Sequence, residues 1–261
     1  MIIAFVFFLC LAASTLGGIC GIGGGVVIKP LLDAVGIMSV SAVSFLSGLT
    51  VLAMSLISVY KNRKTNELEP ASSVPLGIGA AVGGVIGKQL FSSLKAAVEA
   101  DRIVGAVQAV LLGLMVLGTL LYVRNKSKIA TRHIQSPLAG GAIGCALGVC
   151  SSFLGIGGGP MNLAVLYYFF SMDTKKAVVN SILVILLSQI ASLLMTLITR
   201  SVPAFDWAML AAMIIAGALG GYLSARLHKK LSVEKTDLFF QGLLVVILLI
   251  CCYNTARMLI L

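Results

Sequence analysis

Apolar residues in this chain do not alternate and do not recur at amphipathic spacing; they come in blocks about as long as a bilayer is thick. Runs nearly free of charge lie at about 1–32, 38–60, 70–92, 103–123, 134–172, 177–199, 203–225 and 238–256. A spanning helix needs about 20 consecutive apolar residues, so the pattern predicts eight membrane segments and leaves no room for a separate soluble domain. Two of them, the first and the fifth, run past 30 residues, and each is interrupted by the same pentapeptide, "GIGGG", at 21–25 and again at 155–159.

Composition agrees with the pattern: 59% of the 261 residues are hydrophobic and 11% charged, too little polar surface to cover a soluble domain. The expectation is an all-α, multi-pass protein of the cell membrane, in contact with the lipid bilayer. The net charge of +10 is carried mostly by short clusters between segments, "KNRK" at 61–64, "RNKSK" at 124–128 and "RLHKK" at 226–230. Juxtamembrane charge of this kind orients helices and touches headgroups, so nucleic acid is not an expected partner. The N-terminal stretch lacks a basic region, and Ile19 stands where a small residue would have to precede Cys20 in a lipobox, so the stretch reads as mature structure. The six cysteines lie in apolar segments with no C-x-x-C spacing and no nearby His, which predicts buried thiols and neither a metal nor a cofactor site.

The duplication extends beyond the pentapeptide. "GAAVGGVIGKQL" at 79–90 has a counterpart in "AGALGGYLSARL" at 216–227, and "MSVSAV" at 38–43 in "MDTKKAV" at 172–178. The chain thus divides into repeats 1–128 and 129–261, each a glycine-broken segment followed by three ordinary spans, an organisation typical of transporters. If each long segment is a hairpin of two short helices that returns to its starting side, thirteen Lys and Arg fall on one side and five on the other, Lys29 aside. The positive-inside rule then makes the richer side cytoplasmic, inverts the second repeat relative to the first, and puts both termini outside.

Irregular backbone within a membrane is tolerated where protein buries it or a cavity hydrates it, and glycine supplies the turn and the close approach. Each glycine run opens a short helix whose first N–H groups lack partners and carry partial positive charge. The expectation is an anion site near the midplane built from Gly23, Gly24 and Gly25 with Gly157, Gly158 and Gly159. A dinucleotide loop is excluded, because Val26 and Pro160 stand where its last glycine should be. The glycines at 79, 83 and 87 and at 140, 144 and 148 have small-xxx-small spacing and are assigned to helix packing.

These residues carry a family resemblance. "GIGGGVVIKPLL" resembles the G-x-G-G-G-x-x-x-x-P signature of the sulfite exporter TauE/SafE family, also called the toluenesulfonate uptake permease family, and "GIGGGPMNLAVLYYFFSMDTKKAVVNSILVILLSQ" resembles its second-half signature. The resemblance implies a permease or exporter of small anions such as sulfite, organosulfonates or related carboxylates, working by alternating access. The second copy departs from the first in having Pro160 after the glycines and Ala164 where Pro30 would align, so the half-sites should differ.

Other candidates follow from position. Lys29, one turn after Gly25, either neutralises the anion or snorkels to the interface. Asn162 is a hydrogen-bonding residue in an apolar run. Asn180, Ser181, Ser188 and Gln189 form a polar stripe, with Ser44 and Ser47 roughly equivalent in the first half, and Gln108 and Gln241 occupy matching late segments. All nine carboxylates fall at or beyond segment ends and His133 and His228 in loops, which favours passive anion efflux over a proton-coupled pump. The alternatives are a membrane-embedded enzyme, for which no nucleophile stands beside a base, and an assembly subunit, for which paired glycine hairpins have no use.

Overall fold

The computed structural model describes residues 2–63, 65–98, 101–156 and 159–260. Among them the chain forms ten α-helices and no strand: α1 (Ile2–Ile19), α2 (Gly25–Val35), α3 (Val40–Asn62), α4 (Pro70–Ala97), α5 (Asp101–Asn125), α6 (Pro137–Leu154), α7 (Pro160–Phe170), α8 (Thr174–Ile198), α9 (Trp207–Lys230) and α10 (Val233–Ile260). All but α2 and α7 are long and apolar enough to cross a membrane. Those two have 11 residues each, about 16 Å of helix, or half a bilayer core.

Local chemistry sets the boundaries. Ser39, Ser136, Asp173 and Asp206 cap the starts of α3, α6, α8 and α9 by accepting a backbone N–H one or two residues into the helix. Pro70, Pro137 and Pro160 stand at the starts of α4, α6 and α7, where no amide donor is needed. The two over-long segments break at their glycines, but not into two short helices as expected: α1 and α6 have 18 residues each and only the returning arms are short. The break comes late because the apolar run before each "GIGGG" is itself nearly a full span. The basic run 226–230 closes α9 as helix and is not a loop.

Helices pack across the halves. α1 lies on α9 and α6 on α4; α3 lies on α9 and α8 on α4; α2 contacts α10 and α7 contacts α5; α3 meets α8 and α5 meets α10. Exchanging α1–α5 with α6–α10 maps this set onto itself. The two glycine tracts prove to be one interface: a Cβ on Gly79, Gly83 or Gly87 of α4 would fall on the carbonyl of Gly141, Cys145 or Val149, and one on Gly144 or Gly148 of α6 would fall on that of Leu76 or Ala80. Such backbone contact is what small residues permit between helices in lipid. Large apolar side chains such as Leu138, Ile198, Trp207 and Leu238 stay exposed on the outside, as a lipid-facing surface requires.

The two ends of the bundle differ. At one end Asn180, at the start of α8, accepts from Glu69 N (2.8 Å) and Ser73 Oγ (2.5 Å) and donates to the carbonyls of Glu67 and Lys176 (2.8 Å each). Lys176 pairs there with Glu69 (2.7 Å) and Lys126 with Asp237 (2.6 Å). His228, expected in a solvated loop, is 1% exposed in the last turn of α9, with Glu67 3.9 Å away; the helix runs on through the basic cluster and carries it inward. At the other end Lys95 donates to Ser41 (2.7 Å), Arg102 to the Met258 carbonyl (3.1 Å), and Phe45 meets Phe205.

Candidate functional site

Both glycine loops turn at a left-handed residue, Gly21 at φ +69° and Gly155 at φ +66°, a conformation that L side chains rarely adopt. Gly155 also caps α6, its N–H reaching the carbonyls of Ser151 and Ser152. The loops meet inside the bundle, where a Cβ on Gly25 would fall on the carbonyl oxygen of Ile156.

Beside Gly155 lies a cavity of about 430 Å³ between the first half of α3, the second half of α4 and the second half of α8, with Gln108 from α5 and Ser152 from α6. Its floor is Ser44, Gly48, Gln108, Ser152, Gly155 and Gln189. Among the described residues, the hydroxyls of Ser44 and Ser152 are buried without a hydrogen-bond partner, as are those of Ser47 on α3 and Ser188 on α8. Buried hydroxyls are rarely left unpaired, so donors stand ready for something that enters. Farther out, Lys88, Ser92 and Lys95 line one face of α4, and Thr196, Ser201 and Pro203 face them. Lys88 bonds Thr196. The described lining residues include two lysines and no carboxylate.

The residues singled out by sequence are spread over several places. Gln189 lines the cavity. Gly23, Gly24 and Gly25 are buried and do not line it: Gly24 lies against Ser14 of α1, and Gly23 and Gly25 against Val51 of α3. Ser181 donates to the Gly21 carbonyl (2.5 Å) and holds that loop, and Asn180 belongs to the polar network at the other end. Ser47 is buried behind the floor, Asn162 is 3% exposed on α7, and Gly159 precedes that helix. Gly157 and Gly158 lie outside the described residues. Gln241 does not share the position of Gln108 at the cavity.

Lys29 does not snorkel. It is 3% exposed, pairs with Asp33 (2.7 Å) and donates to Gln108 Oε1 (3.0 Å), while Gln108 Nε2 donates to the Phe153 carbonyl (2.6 Å). Asp33, expected at a segment end with no role inside the membrane, has a side chain only 8% exposed. The correction has a simple cause: α2 is a half-length helix packed on α3 and α10, so its last turn is still enclosed by full-length neighbours.

Sequence reasoning missed Lys88, Ser92, Lys95 and Ser152. The signal was present for the first three: positions 88, 92 and 95 follow the i, i+4, i+7 spacing of one helical face.

The family model described as sulfite exporter TauE/SafE matches residues 6–252 of the chain. The probable membrane transporter protein YunE of Bacillus subtilis (strain 168) is 25% identical over 263 residues, spanning 91% of this chain and 92% of that protein. No solved structure matches.

Proposed function

Because the chain belongs to the sulfite exporter TauE/SafE family of membrane transporters, we propose that it is a permease for small anions, chiefly sulfite, organosulfonates and related sulfur-containing or carboxylate anions. The substrate occupies the cavity between α3, α4 and α8 and is moved by alternating access. One observation carries this reading: the cavity joins two lysines at its outer part to unpartnered serine hydroxyls and two glutamines at its floor. Cations draw an anion in, and hydroxyl and amide donors replace part of its hydration. The glycine loops form the backing of the floor, where Gly155 brings main chain against the bound anion.

The repeats are inverted in this reading. Support comes from the helix ends: the start of α8 meets the α3–α4 loop, whereas the start of α3 meets the end of α4, so α3 and its counterpart α8 run in opposite senses. The end bearing Lys126 and Lys176 is the cytoplasmic one by the positive-inside rule, and the cavity, lined by Lys95 and Ser41, opens to the outside. The enclosed end around Asn180 is then the inner gate.

Flux of radiolabelled sulfite into proteoliposomes tests the function. Uptake above protein-free vesicles, inhibited by methanesulfonate, is expected; no flux of sulfite, sulfonate or carboxylate in either direction would contradict it.

A further inference from the structure

Lys29 and Asp33 form a buried ion pair that the anion site, as proposed above, does not explain. We propose that Asp33 is a proton-coupling site: an anion at the cavity floor draws Lys29 away from Asp33, and Asp33 takes up a proton in the same step. This rests on the reading of the cavity as an anion site.

Lys29 lies directly behind the floor. Its Cε is 3.2 Å from where a Cβ on Gly155 would stand, and its ammonium donates to Gln108, which lines the cavity. An ammonium has three donors, and Asp33 and Gln108 take two. Lys29 borders the small cavity beside Asp33 and not the larger one, so its ammonium has to leave Asp33 to reach an anion beside Gly155. A carboxylate deprived of its partner in a buried site is costly as an anion and accepts a proton instead.

The surroundings of Asp33 leave room for that proton. Among the described residues its Oδ1 has no partner, nor does Oδ1 of Asn254, and both residues line a second, small cavity of about 10 Å³, room for about one water. Asn254 Nδ2 and Gln108 Nε2 are engaged by the carbonyls of Pro30 and Phe153, so once the Lys29 ammonium swings away, only the weak Cys251 thiol among the described lining groups could donate to these two acceptors. A proton on Asp33 supplies a donor, directly or through that water. The groups that face Asp33 are few. Lys29 lies on its own helix; α10 brings Cys251, Asn254 and Arg257, whose guanidinium is engaged by the Ala34 carbonyl; α5 brings Gly105, Gln108, Ala109 and Leu112, with Arg102 turned to the Met258 carbonyl; and α6 brings Leu154.

Charge balances at each stage. Before binding, Lys29 is positive and Asp33 negative; afterwards Lys29 is paired with the anion and Asp33 is neutral. A monovalent anion thus enters with one proton from the outer solution, an electroneutral step.

Isothermal titration of purified protein with methanesulfonate, an anion that stays ionised from about pH 5.5 to about pH 8.5, tests the proposal in buffers of different ionisation enthalpy. Wild type should take up one proton per anion, with affinity falling by up to about tenfold per pH unit in the upper part of the range. Asp33→Asn should bind without proton uptake and without pH dependence, and Lys29→Gln should lose both binding and uptake. Binding to wild type with no proton uptake, uptake that persists in Asp33→Asn, or binding that follows sodium and not pH would overturn the coupling role and leave the anion site standing. No binding of methanesulfonate or sulfate at any pH would overturn the cavity reading and this one with it. The wild-type measurement does not depend on either variant folding.

Discussion

Gly21 and Gly155 hold the same place in the two glycine loops and nearly the same left-handed backbone, but their surroundings are opposite. A Cβ on Gly21 would meet the α-carbon of Val178 at 2.7 Å, a packed main-chain wall, whereas Gly155 faces the side chains of Ser44 and Lys29 and lines the cavity. Three residues after Val178, Ser181 bonds the Gly21 carbonyl; three residues after Ser44, Ser47 has no partner among the described residues. The two half-sites share a backbone and differ in what fills the space beside it. On the inverted arrangement proposed above, this difference is what leaves one end open and the other shut.

Substitutions at the two turns should separate these roles, and the largest effect is expected there. Alanine at either glycine imposes a left-handed conformation at a cost of about 1–2 kcal/mol, so both variants should melt lower than wild type. Gly155→Ala also puts a methyl group on the Ser44 hydroxyl and into the floor, and should lower anion affinity at least about a hundredfold, or roughly 2.8 kcal/mol. Gly21→Ala, despite its clash with Val178, should keep Kd within about threefold. Equal losses of affinity would mean that turn geometry matters and the cavity does not.

A smaller effect is expected at the outer part of the cavity. Lys88→Gln keeps a donor for Thr196 and removes one charge, and should weaken anion binding about tenfold, or roughly 1.4 kcal/mol, with less difference from wild type at high salt. Titration at two ionic strengths checks this. The smallest effect belongs to the shut end. Asn180→Ala removes four hydrogen bonds, each with a typical net value of about 1 kcal/mol, and should favour opening toward the cytoplasm. Affinity measured from the outer side should fall about threefold while thiol labelling from the inner side rises.

Much of this architecture was legible because bilayer thickness acts on composition directly: uncharged runs mark the spans, and a duplicated glycine pentapeptide marks both breaks. Small-residue spacing identified the packing tracts at 79–87 and 140–148 but not that each is the other's partner, since spacing describes one helix surface and not which helix covers it. Asp33 was read as a segment-end carboxylate because sequence shows distance along the chain and not the height of neighbouring helices. Its i, i+4 spacing from Lys29 was nevertheless available. Lys88 and Lys95 are two of the five basic residues that the charge count puts on the outer side; only the length of α4, which runs to Ala97, turns them into a cavity wall. The unpartnered serines could not be foreseen, because partnership is a property of the packed structure.

The central claim, that the cavity beside Gly155 binds the transported anion and opens outward, is tested most directly at Ser192 on its wall. In a cysteine-free background, Ser192→Cys should react with a membrane-impermeant methanethiosulfonate applied outside intact cells, and methanesulfonate should slow that reaction. Modification at the same rate with and without the anion, or only from the cytoplasmic side, would contradict the account.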